Sequence, residues 1–216
     1  MSNTENIAAV ILAAGYSFPM KEFKPLIKLG NITALEHSIL SFYYAGINDI
    51  RVVIGYHGLD VIEALKHYPV RMVLNARFIE GMYSSVQAGV GNLEAEIQAF
   101  FILPADIPFV MAGTLQKMLA RFRSSEGGNI IYPVLNGRRG HPPLISTKFS
   151  GAILSGECPG GLQNLLRRYE HNAVNVEVAD EGILLDMNNR EDYLEILNYF
   201  NTTSKTRIIT KRLSTR

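Results

Sequence analysis

Cysteine is nearly absent from this chain. Cys158 stands alone in 216 residues, so no internal disulfide can form and a reducing cytoplasm is the expected setting. Long apolar runs are missing too. Nothing approaches the roughly 18 residues of a membrane span, so no membrane partner is expected. The opening MSNTENIAAVILAAG has no basic segment ahead of its apolar stretch, which argues against a signal peptide. Charge of one sign is scarce: 21 Lys and Arg balance 20 Asp and Glu. That balance gives no whole-chain case for nucleic acid as a partner. Two nucleotide fingerprints, GxGxxG and GxxxxGK followed by Ser or Thr, do not occur.

What remains is 47% hydrophobic and 19% charged, enough for one generous globular core. The charge is unevenly spread. Asn201 to Arg216 holds Lys205, Arg207, Lys211, Arg212 and Arg216 with no acid, which leaves 16 basic against 20 acidic residues in the body. Such a tail reads as a disordered segment, or as a linker to a further domain or partner.

Apolar runs alternate with helical patterns. Strands are expected at Ala8–Leu12, Ile50–Ile54, Val70–Leu74, Ala99–Leu103 and Ile130–Val134, each nearly continuous in apolar residues, as strands buried on both faces are. Thr33-Ala34-Leu35-Glu36 has the form of a capping box, and Gly46 closes the helix it opens. Leu59–His67, Ser84–Leu93 and Thr114–Arg123 supply the other crossover helices. Helical Leu162–Arg168 precedes strand-like Val174–Val178 and Ile183–Leu185, then a helix over Glu191–Phe200. The pattern predicts one three-layer α/β domain with a mostly parallel central sheet. Ligands of such sheets bind beyond the carboxyl ends of the strands, so the chemistry belongs to the loops there.

Four loops stand out. In AAGYSFPMKEFKPL, residues 13–26, Ala13, Ala14 and Gly15 leave backbone amides uncovered, and Lys21, Lys24 and Lys28 add positive charge. Polyphosphate binding and simple tight packing both explain such small residues. In LPADIP, Asp106 follows a buried strand, where it is placed either to hold Mg²⁺ or to cap a turn. In EGMYSS, Ser84 and Ser85 open a helix whose free amides suit an anion, although plain capping by Ser84 explains the same residues. In GRRGHPP, Arg138, Arg139, Gly140 and His141 suit a phosphate-bearing substrate or form a solvated hairpin tip; His141 is a base or a hydrogen-bonding group.

Taken in order, VILAAGYS, EFKPLI, GMYSSVQAGV, LPADIPFV, RRGHPPLIS, GGLQNLLRR and GILLDMNNREDY resemble the MobA-like nucleotidyltransferase family. They run from residue 10 to residue 193, and the LAAG opening is similar to the molybdenum cofactor cytidylyltransferase branch. The resemblance implies a Rossmann-like nucleotidyltransferase fold over residues 1–200, with the basic tail at 201–216. It implies transfer of CMP from CTP to the phosphate of molybdopterin cofactor, with release of pyrophosphate. Carried over by motif, Leu12, Ala13, Ala14, Gly15 and Ser85 would bind the nucleotide, and Lys24 its phosphates. Asp106 would hold Mg²⁺, with Asp186 or Asn188 near a second metal position. Ser84, Arg139, Gly140 and His141 would face the acceptor. Transfer between two polyanions asks for charge neutralisation and in-line positioning rather than a covalent nucleophile, so Cys158 and the five histidines need not be catalytic.

The chain departs from the family pattern at two places. The signature Arg of the opening loop falls on Pro19 and its Gly on Lys21, and one late acidic position is Asn188. Two further readings follow. One is a nucleotidyltransferase with another phosphorylated acceptor; the other is a nucleotide-binding module with reduced or no catalysis.

Overall fold

The computed structural model describes residues 6–16, 22–125, 129–156 and 158–213, with side chains to residue 203. The departures at Pro19 and Lys21 lie outside the described residues.

The chain opens with β1 (Ile7–Ala13), a small hairpin of β2 (Lys28–Leu29) and β3 (Ile32–Thr33), and α1 (Ala34–Tyr44). Next come β4 (Asp49–Ile54), α2 (Gly58–Leu65), β5 (Arg71–Leu74), α3 (Met82–Gly91), β6 (Ala99–Pro104) and α4 (Ala112–Ser124). The last third holds β7 (Ile130–Leu135), β8 (Arg138–Arg139), β9 (Leu144–Ser146), α5 (Ser150–Leu154), α6 (Gly161–Arg167), β10 (Ala173–Glu177) and α7 (Arg190–Leu213). Among the described residues no helix is long and apolar enough to cross a membrane.

The main sheet runs β10-β7-β9-β6-β1-β4-β5, with β8 attached to β7. β1 lies in its middle, parallel to β4 on one side and β6 on the other, and all seven of its residues are buried. The physical reason is alternation. Ile7, Ala9, Ile11 and Ala13 join one apolar cluster, while Ala8, Val10 and Leu12 join the cluster on the opposite face. Helices α1, α2 and α4 cover the first face, and α3, α5 and α6 cover the second. This is the expected three-layer α/β arrangement.

The expected capping box is complete. Thr33 Oγ1 accepts from the Glu36 N–H at 3.2 Å, and Glu36 Oε2 accepts from the Thr33 N–H at 2.6 Å. Replacing Thr33 with Ala should cost about 1 kcal/mol. In a chain of this size that lowers the melting midpoint by about 2–4 °C, readable by calorimetry. A midpoint unchanged within error would show that the helix end is held by its tertiary contacts alone.

Several expectations need correction. Ile183–Leu185 is not a strand: residues Glu181–Leu184 form a 3₁₀ turn, because Asp180 accepts from the Gly182 N–H and bends the chain there. The strand expected at Val70–Leu74 starts at Arg71 and lies at the sheet edge, where only Val73 is buried. The stretch after β7 was expected to be a loop and instead supplies two antiparallel strands. Asn136 and Gly137, with φ of 51° and 76°, make a two-residue turn that pairs Leu135 with Arg138. The chain then drops through Gly140–Pro143 and returns as β9 between β6 and β7. The last helix does not end at Phe200 but runs to Leu213. Asn189 caps it by accepting from the Glu191 and Asp192 N–H groups, and no Gly or Pro interrupts residues 190–213.

Candidate active site

Two cavities open at the carboxyl ends of β1 and β6. The first, of about 330 Å³, is lined by Leu12, Ala13, Ala14, Gly15, Lys24, Phe78, Ser85 and Asn188 among others. The second, of about 670 Å³, runs past Tyr132, Gly140, His141, Leu162 and Asp186. Both are walled by Asp106, which therefore sits where they meet. The strand ends are tied together beneath it, since the Ala105 N–H donates to the Leu12 carbonyl at 3.0 Å.

Lys24 approaches Asp106 with Nζ 3.3 Å from Oδ2. The lysine is 8% exposed, held at the start of a short 3₁₀ turn over Lys24–Leu26 whose φ is set by Pro25. Burial raises the Asp106 pKa above the ordinary carboxylate value; the Lys24 charge pulls it back down, and the nearby Asp186 charge pushes it up. Asp106 does not cap the helix that follows it. That task falls to Asp180, which accepts from the Met111 N–H and the Thr114 hydroxyl at the start of α4.

Asp186 and Asn188 reach the same place from the segment before α7. The Asn188 Nδ2 donates to Asp186 Oδ2 at 2.5 Å, and the Met187 N–H donates to the Asp106 carbonyl at 3.0 Å. Among the described residues no group of three or more His, Cys, Asp or Glu could enclose a metal ion. The donors present still fit Mg²⁺ in kind. They are hard oxygens, and this ion commonly takes one or two carboxylates and completes its shell with phosphate oxygens and water.

The two serines separate. Ser85 lines the first cavity, whereas Ser84 is 3% exposed and does not line either of these two cavities. Its hydroxyl lies 2.8 Å from the Gly81 carbonyl and 2.9 Å from that of Arg77, and accepts from Asn75 Nδ2 at 2.9 Å. Ser84 therefore lies away from the two cavities that meet at Asp106. Successive residues point about 100° apart around a helix, and here Ser84 turns toward Arg77 and Gly81 while Ser85 turns toward the cleft. Asn75, which also donates to Ser85 Oγ at 3.0 Å, escapes a reading by sequence because a lone Asn after a strand signals only a turn.

Arg139 lines the second cavity but is already engaged. Its Nη1 and Nη2 donate to the two Glu170 oxygens at 2.9 and 2.6 Å, its Nε donates to Asn175, and its guanidinium lies over the Tyr132 ring. Gly140 is a place of close approach: a Cβ there would lie 2.4 Å from the Ile183 carbonyl oxygen. His141 is exposed at the cavity surface, yet the surrounding walls desolvate it and hold its pKa below the usual value, against the pull of Asp106 and Asp186. Aromatic residues that sequence reasoning missed stand at the outer rim. Tyr16 packs on Tyr56 and Phe78 at ring distances of 4.7 and 5.4 Å, and Tyr16 and Phe78 line the first cavity.

A mostly parallel α/β sheet with flanking helices and a cleft beyond its strand ends is the Rossmann-like nucleotidyltransferase fold. Residues 9–174 match the MobA-like NTP transferase domain, and the chain belongs to that family. It is 26% identical over 192 residues to the molybdenum cofactor cytidylyltransferase of Escherichia coli K12, which covers 87% of this chain and 94% of that protein. It is 24% identical to nicotine blue oxidoreductase of Paenarthrobacter nicotinovorans, with 88% and 96% covered. Among solved structures, a nucleotidyl transferase from Methanothermobacter superposes with a TM-score of 0.78 at 24% identity, covering 91% of this chain and 98% of that one.

Proposed function

We propose that the chain transfers a nucleotide monophosphate from a nucleoside triphosphate to a phosphorylated acceptor. An acceptor phosphate oxygen attacks the α-phosphorus, the bond from that phosphorus to the bridging oxygen breaks, and pyrophosphate leaves with the electron pair. The supporting observation is the meeting of two cavities at Asp106. Donor and acceptor would lie on either side of one carboxylate, which leaves the acceptor oxygen free to approach the α-phosphorus opposite the departing pyrophosphate.

In this proposal Leu12, Ala13, Ala14, Gly15 and Ser85 hold the nucleotide. A Cβ on Gly15 would meet nothing within 4 Å, so the backbone there is open to a close ligand. Lys24 neutralises the triphosphate. Asp106, with Asp186 and Asn188 beside it, would hold Mg²⁺, which supplies Lewis-acid neutralisation of the phosphates when bound. Gly140 and His141 form the acceptor wall, where a ring N–H of His141 would hydrogen-bond the acceptor phosphate. Arg139, tied to Glu170, stiffens that wall. At finer grain we propose CTP as donor, molybdopterin cofactor as acceptor and the cytoplasm as setting, on the strength of the LAAG opening and the E. coli relative.

The test is pyrophosphate release from each of CTP, GTP, ATP and UTP with Mg²⁺, with and without molybdopterin cofactor, beside calorimetric titration of the nucleotides. Release confined to CTP plus cofactor, with CTP bound more tightly than GTP, supports the finer proposal. Release only with a different phosphorylated acceptor keeps the coarser one. Tight nucleotide binding without release under any condition would turn the chain into a binding module, the outcome favoured by Pro19 in the opening loop.

A further inference from the structure

The turn after β10 touches two loops of the site, those that carry Asp106 and His141. Asp180, 1% exposed, receives three hydrogen bonds: Oδ2 accepts from the Met111 N–H at 2.8 Å and the Thr114 hydroxyl at 2.7 Å, and Oδ1 accepts from the Gly182 N–H at 3.0 Å. Two of these donors belong to the stretch that leaves Asp106 and enters α4. The third belongs to the turn itself. Gly182 lies so close to that stretch that a Cβ would be 2.1 Å from the Phe109 carbonyl oxygen. One residue on, the Ile183 carbonyl accepts from the His141 N–H at 2.8 Å. Four residues further, Met187 is bonded to the Asp106 carbonyl.

We infer that Asp180 is a positioning residue. It fastens residues 181–188 to the Asp106 loop on one side and to the His141 loop on the other. It thereby sets how far Asp186 and Asn188 stand from Asp106. Its catalytic consequence rests on the nucleotidyl-transfer proposal; the clamp itself does not. The chemistry explains why a carboxylate is needed. It only accepts, so both of its oxygens can serve donors on opposite sides. An amide offers one accepting oxygen, and its NH₂ would face either the Met111 N–H or the Gly182 N–H.

The experiment uses the full chain with Mg²⁺, CTP and molybdopterin cofactor, or whichever nucleotide and phosphorylated acceptor the wild type turns over. Asp180→Asn and Thr114→Val are compared by amide hydrogen exchange and by steady-state pyrophosphate release. In Asp180→Asn, exchange at the His141 and Met187 amides should rise about tenfold or more while the amides of β1 and β6 keep their protection. The kcat should fall about tenfold to a hundredfold, as displacements near 1 Å do, with KM for the nucleotide held within about twofold. Thr114→Val, which removes one of the three bonds, should move both readouts the same way and by less. Unchanged exchange at His141 and Met187 overturns the inference. So does raised exchange spread equally through β1 and β6, or raised exchange with kcat intact. If Asp180→Asn does not fold, Thr114→Val decides on the same criteria. If the wild type releases no pyrophosphate from any nucleotide, the transfer proposal fails, and the exchange pattern alone decides the clamp.

Discussion

Replacing Asp106 with Asn is expected to cut Mg²⁺-dependent pyrophosphate release about a thousandfold, since metal-assisted charge neutralisation contributes several kcal/mol to such transfers. The melting midpoint should move by only a few degrees. Two opposing effects make it so. Burial raises the Asp106 pKa, so ionising it costs more in the fold than in the unfolded chain. The native state therefore binds that proton more tightly, and this group's contribution weakens as pH rises through its titration range. A neutral amide removes that cost. It also takes from Lys24 a carboxylate 3.3 Å away, which works the other way. Activity and melting measured on one preparation separate the cases. A variant that melts far earlier, with turnover per folded molecule intact, would make Asp106 a structural residue.

How much of this was legible in the sequence depended on whether one segment carried the whole signal. β1 and β6 were readable because burial on both faces demands unbroken apolar runs, and the box at Thr33 because both of its partners lie within four residues. Asp106 and Lys24 could be singled out because one follows a strand and the other sits among basic residues, but that they lie 3.3 Å apart could not be read. Pairings across the chain were not. β9 is three residues long and takes its identity from neighbours on both sides, β6 and β7. Ile183 and Leu184 have strand-like side chains, yet a hydrogen bond from Gly182 to Asp180 overrides that preference. Arg139 looks like a phosphate ligand until Glu170, thirty-one residues away, is seen to hold it. Asp180 gave no sign beyond a common turn pattern, because its donors at Met111 and Thr114 lie more than sixty residues earlier.

Lys24→Met should weaken the triphosphate complex about ten- to a hundredfold, the worth of a charge-assisted hydrogen bond of about 1.5–3 kcal/mol. A second effect distinguishes this lysine from a simple phosphate contact. Its charge opposes the burial that raises the Asp106 pKa, so removing it lets that pKa climb further. If turnover needs Asp106 ionised, the acid limb of the pH–rate profile moves to higher pH in the variant. The deficit is then largest at low pH and shrinks toward the binding loss alone as pH rises. Stability carries the same sign. With a higher folded-state pKa, the variant loses stability over a wider span as pH increases than the wild type does. Methionine fills nearly the same volume as the lysine stem, so packing around this buried side chain is preserved and the electrostatic effect is isolated. Two profiles of identical shape, differing only by a constant factor, would mean that Lys24 binds phosphate without tuning Asp106. An upward shift of the acid limb would show that one buried cation serves both the donor and the carboxylate between the two cavities.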